Sequence, residues 1–253
     1  MSEETVQPFR LAYVPGVTPA KWVRVWNERM PEVPIELVSV EPTVGAEPLR
    51  EGAADIALLR LPLLRDGLSV IPLYTETSVV VVPKEHAIAA VDEVSVADLA
   101  DETVLHPLDD VLDWASLPGE EAFERPATTA DAISYVASEV GVLVTPQSLA
   151  RLHHRRDLTY RPVADAPSSQ VGLVWLTDRT TDLVEEFVGI VRGRTANSSR
   201  GRQEKAEEEK PTRRGERKGS TPTRRARDGA AARRSTTPAR KRSGKPPRRK
   251  GRR

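Results

Sequence analysis

The chain contains no cysteine, and aromatic residues make up only 4% of it. Without thiols it cannot build a disulfide scaffold, a thiolate zinc site or a cysteine nucleophile, and a reducing, cytoplasmic setting is expected. No apolar run approaches the roughly 20 residues that a spanning helix needs; Val79 to Val82 is typical of the longest. The N-terminal MSEETVQPFR is acidic and lacks the apolar stretch of a secretory signal. Neither a Gly-rich phosphate loop, a GxSxG elbow nor an HExxH helix occurs. These absences predict no membrane partner, no cofactor, no metal and no enzymatic role.

What is present is divided by charge. The formal net charge of +1 hides an acidic body and a basic arm. Residues 1–194 hold 16 Lys+Arg against 31 Asp+Glu, and residues 195–253 hold 22 against 6. The arm has no Ile, Leu, Val, Phe, Tyr or Trp. It cannot bury enough apolar area to offset the entropy of ordering it, so a disordered tail is expected over 195–253. The body is long enough for one large domain or two lobes.

Along the body, 9–14 alternates as a strand, and Pro15-Gly16 ends it. Thr18-Pro19 reads as an N-cap followed by Pro at the first helical position, with Trp22, Val25, Trp26 and Met30 at helical spacing. Strands at 35–40 and 55–59 flank a short helix at 46–50, a parallel α/β pattern. Further strands are expected at 68–72, 78–82, 103–105, 142–145 and 171–176, with helices at 95–99, 129–139, 146–152 and 182–191. Residues 108–125 read as acidic and irregular. Two separate α/β stretches bracketed by apolar strands suggest two lobes with a ligand cleft between them.

The order of motifs resembles the effector-binding domain of LysR-type transcriptional regulators. The segments that carry the resemblance are FRLAYVPG at 9–16, LREGAADIALLR at 49–60, GLSVIPLYTETSVVVVPKEHAIA at 67–89, VSVADLADETVL at 94–105, ISYVASEVGVLVTP at 133–146 and VGLVWLTD at 171–178. The most specific are the G-x-x-D-[IL]-A pattern at Gly52 and the stretch from Pro72 to His86. The resemblance implies an α/β, two-lobe periplasmic-binding-protein-like (type 2) fold over 9–194, followed by the tail. Lobe one is expected at about 9–80 and 168–194, lobe two at about 81–167. It also implies a small anionic or polar metabolite as effector and a homodimer. Only eight residues precede Phe9, so the family's winged helix-turn-helix and its operator reading are not implied.

Ligands in open α/β folds sit beyond the carboxyl ends of strands. Thr18 stands there at a helix start, where free amides favour an anion. It matches the position at which the family often has Ser or Thr on an effector carboxylate; it could equally serve as a helix cap. Thr43 is the analogous hydroxyl after the second strand, or an ordinary turn residue. Arg60, after the third, would neutralise an acidic ligand or stand solvated. In the second lobe His106, Thr128 and Thr145 are the candidates, against a surface loop, a helix cap and a strand end. The pair His153-His154 and the trio Asp109, Asp110 and Asp113 read as solvated faces. A cytosolic solute-binding protein, or a remnant that binds nothing, is the alternative to a regulatory effector-binding module.

The arm carries basic groups spaced by Gly, Pro, Ser and Thr: Arg224-Arg225, Arg233-Arg234, Arg240-Lys241-Arg242 and Arg248-Arg249-Lys250. Cations without aromatic neighbours suit phosphate contacts rather than base readout, so non-specific nucleic-acid binding and association with the nucleoid are expected. On random-sequence duplex, the full chain should bind more tightly than a chain ending at residue 194. Its log affinity should fall with log salt by roughly 0.9 per phosphate contacted. Equal binding by the two chains, measured by anisotropy, would remove the tail from the account.

Overall fold

A computed structural model describes residues 7–194, and the basic arm lies outside them. Five strands form the first sheet: β1 (Phe9–Tyr13), β2 (Ile35–Ser39), β3 (Ile56–Leu61), β4 (Leu68–Glu76) and, late in the chain, β10 (Ser169–Leu176). Their order is β2-β1-β3-β10-β4. β1 pairs with β2 and β3 in parallel, as the sequence pattern predicts, with α1 (Ala20–Arg29) and α2 (Glu47–Arg50) as crossovers. β10 runs antiparallel to both neighbours.

The second sheet holds β5 (Ser78–Pro83), β6 (Thr103–Leu105), β7 (Glu120–Glu121), β8 (Val142–Pro146) and β9 (Leu158–Pro162) in the order β7-β6-β8-β5-β9. Helices α3 (Thr129–Ala137) and α4 (Gln147–Leu152) accompany it, and α5 (Asp182–Val191) returns to the first. The run of four valines in β5 follows from its place. It lies between β8 and β9, and Val80 and Val82 enter one core while Val79 and Val81 enter another on the opposite face. A strand covered on both faces has no polar side to present. Among the described residues, no helix is long and apolar enough to cross a membrane.

Two expectations need correction in detail. The strand expected to stop at Pro72 continues to Glu76. It is an edge strand, where a missing N–H is tolerated, and a bulge opposite Val171/Gly172 absorbs the irregularity. β9 was not anticipated; its Leu158 is buried, but Thr159, Tyr160, Arg161 and Pro162 are half-buried and show no alternation.

The chain passes between the sheets twice. Thr77 separates β4 from β5, a few residues before the boundary expected near 80, because Ser78 already pairs with Pro146 in the second sheet. The return runs from Pro162 to Ser169. The two passages are tied together: Ser78 Oγ donates to the Pro167 carbonyl, and the Val163 N–H to the Ser78 carbonyl.

The first lobe's core is organised around stacked rings. Phe9 and Trp26 lie 4.5 Å apart at 14°, and Phe187 of α5 tilts against both at 5.6 and 5.9 Å. The indole N–H of Trp26 is satisfied by the Val33 carbonyl at 2.9 Å. Trp26 thus joins a strand, two helices and the turn before β2. Trp26→Ala should cost about 3–5 kcal/mol of stability in denaturant titrations. Trp22→Ala, at a half-buried position, should cost clearly less; equal costs would deny the stack its central role.

Candidate functional site

Between the two lobes lies a cavity of about 670 Å3. The first lobe supplies Tyr13, Pro15, Gly16, Val17 and Thr18, at and after the end of β1, and Ser39, Glu41 and Pro42, at and after the end of β2. The second supplies Asp109, the start of α3 (Thr128, Thr129, Ala130), and α4 with its end (Ser148, Arg151, His153). These are the segments that follow parallel strands or open helices, so hydroxyls and backbone amides gather there.

Each wall has a local cause. Thr18 lies on the cavity and is exposed, but it is not the cap expected of it. Pro19 takes the N-cap position in helical conformation (φ −78°, ψ −6°), with no side-chain cap. A residue before proline is held out of the helical region, and the proline ring itself is pre-set for it. The helix therefore begins without the Thr18 hydroxyl. On the facing wall Thr128 does cap α3, accepting from the Asp131 N–H at 3.1 Å, and Thr129 Oγ1 donates to Asp109 Oδ1 at 2.9 Å.

Behind the cavity lies Arg60. It is 7% exposed rather than solvated, and its Nη2 is 3.2 Å from Glu76 Oε2. The same nitrogen donates to the Pro15 carbonyl at 3.0 Å and to Ser148 Oγ at 3.3 Å. One guanidinium thus touches the wall from both lobes and the end of β4, where the chain leaves the first sheet. Burial pulls Arg60 below its ordinary pKa, and the Glu76 charge opposes that pull. Its Nε and Nη1 find no hydrogen-bond partner among the described protein atoms, nor does Ser169 Oγ. Gly16 stands against the same contact. A Cβ on it would lie 2.6 Å from Ser148 Oγ, and its φ of +84° favours glycine in any case.

The remaining sequence candidates do not line the cavity. Thr43 is an exposed turn residue beside Pro42, which does. Thr145 is buried in β8 opposite Val79; the strand continues to Pro146, so the cavity-facing hydroxyl is that of Ser148. His106 is held by Asp110, with Nε2 3.2 Å from Oδ2. Burial raises the pKa of Asp110, against the opposing effects of the Leu112 amide and His106. His153, read as solvated, sits at the cavity edge. Ser39 and Ser148 were missed, although both stand at or just after the carboxyl end of a strand. Asp109 had no sequence signal beyond its acidic neighbourhood. No cluster of His, Asp or Glu among the described residues could hold a metal.

Two mixed sheets with helices, joined by two adjacent passages and separated by a cavity, define a two-lobe periplasmic-binding-protein-like domain. The sequence model of the LysR substrate binding domain matches residues 7–196, and the chain belongs to that family. It is 30% identical over 197 residues to a probable hydrogen peroxide-inducible genes activator of Mycobacterium avium, across 72% of this chain and 63% of that protein. The chain thus spans less than two thirds of that relative. Two solved structures share the fold. The reduced form of OxyR has a TM-score of 0.62 at 22% identity, covering 76% of this chain and 97% of that one. The BenM effector binding domain with its effector benzoate has a TM-score of 0.63 at 18% identity, covering 77% and 98%.

The buried pair gives a test of the junction. Glu76→Gln leaves a buried guanidinium without its counter-charge and should cost about 3–5 kcal/mol. Replacing both, Arg60→Met with Glu76→Leu, should recover a large part of that loss in the same denaturation series. Additive losses would mean that the two side chains act separately.

Proposed function

We propose that the chain is the effector-binding part of a LysR-type transcriptional regulator, and that a small anionic or polar metabolite bound between the lobes controls it. The observation that carries this reading is the cavity itself, walled by hydroxyls from both lobes: Thr18 and Ser39 on one side, Thr128, Thr129 and Ser148 on the other. A ligand there bridges two lobes that the chain connects through two adjacent passages, so binding can bias their relative placement. The family membership and the regulators among its relatives support a role in transcription rather than catalysis. In this reading the protein works in the cytoplasm, pairs with a second copy, and uses its basic arm for non-specific contact with nucleic acid.

A thermal-shift screen of carboxylates, amino acids and polar metabolites on the full chain should yield a stabilising ligand. Thr18→Val keeps the shape of that side chain and removes its hydroxyl. It should weaken such a ligand by on the order of 1–3 kcal/mol if the hydroxyl meets a charged group. Because Thr18 caps nothing, stability without ligand should hardly change. Unchanged affinity would remove Thr18 from the site. A screen that finds no ligand at all would favour the alternative of a remnant that no longer binds.

A further inference from the structure

We infer that the cavity takes a bipolar ligand, with a carboxylate at one end and an ammonium at the other. This rests on the reading of the cavity as an effector site, and it follows from the unpaired charges of both signs that line it. Asp109 accepts from Thr129 through Oδ1 only; Oδ2 has no protein partner among the described residues. Glu41, from the first lobe, is likewise unpaired there. Asp109 and Asp131 already stand at the start of α3 and satisfy the preference of a helix N-terminus for negative charge. The lining thus carries two unpaired carboxylates, one from each lobe, and an anion beside either is repelled.

The second lobe also lines the cavity with a base. Arg151, in the last turn of α4, donates through Nε to the Tyr160 hydroxyl at 3.2 Å. Its two terminal nitrogens have no hydrogen-bond partner among the described residues, and His153 lines the cavity beside it. A guanidinium with its fork free is suited to a carboxylate. The hydroxyls of Thr18, Ser39 and Ser148 are neutral and accept either pole. A dianion is repelled by Asp109 and Glu41, and a dication by Arg151. Only a ligand bearing both signs is paired with both kinds of group, and specificity arises as much from the repulsion of the others.

Four probes of matched length separate these cases: 5-aminopentanoate, pentanoate, glutarate and 1,5-diaminopentane, titrated calorimetrically into the full chain at low salt. The zwitterion should bind at least about tenfold more tightly than each of the other three. Asp109→Asn keeps an acceptor for Thr129. It should abolish the advantage of 5-aminopentanoate over pentanoate while leaving pentanoate unchanged. Arg151→Gln should weaken both of these and spare the diamine. Glutarate or the diamine as tightest probe, no binding by any of the four at millimolar concentration, or an unchanged ratio in Asp109→Asn overturns the assignment. If the metabolite screen yields a pure anion that Thr18→Val weakens, the cavity stands as an effector site and only its bipolar character falls.

Discussion

The geometry of the cavity depends on one buried ion pair. Arg60 and Glu76 are both almost fully removed from solvent, and they meet where the chain leaves the first sheet for the second. A charge in such a place needs its partner, because an unpaired ion in a low-dielectric interior costs several kcal/mol. That need holds the end of β4 to the end of β3. It also brings the same nitrogen, Nη2, within hydrogen-bond reach of the Pro15 carbonyl and Ser148 Oγ, one in each lobe. The cavity wall is therefore referred to the same point as the passage between the sheets. The pair contributes placement more than stability, since two of its nitrogens and a carboxylate oxygen lack hydrogen-bond partners among the described protein atoms.

Much of the fold was legible because local and tertiary demands agree. The strands and helices of the parallel half have clear turn residues and periodic apolar positions, and β5 declares its double burial through consecutive valines. The resemblance to the LysR family supplied the two-lobe arrangement, which periodicity alone only suggested. What escaped notice lies where tertiary structure overrides local pattern. β4 runs through a proline because it is an edge strand with a bulge. β9 has no alternation because its Arg161 turns back to donate to the carbonyls of Ala89 and Val91. The direction of β10, antiparallel within a largely parallel sheet, is set by its arrival from the other lobe.

The site was less legible than the fold. The rule that ligands gather at the carboxyl ends of strands led to Thr18 and to the start of α3, both on the cavity. It failed by a few residues at Thr43 and Thr145, whose neighbours Pro42 and Ser148 face inward instead. Arg60 was noticed for its charge and read as a ligand contact or a solvated strand end, not as half of a buried ion pair. Nothing in the sequence around it announces Glu76, sixteen positions on, as its partner. Asp109 and Arg151 lay in stretches that read as solvated acid and solvated base. Their meeting in one cavity is a property of the folded second lobe, which neither stretch of sequence shows by itself.

The missing side chain of Gly16 sets a mechanical limit. At this point the lobes are separated by little more than the absence of one methyl group. Surfaces already touching cannot approach further there, so the contact between Gly16 and Ser148 limits how near the lobes come. A residue that looks like punctuation after a strand thereby sets the spacing between the lobes at the cavity wall.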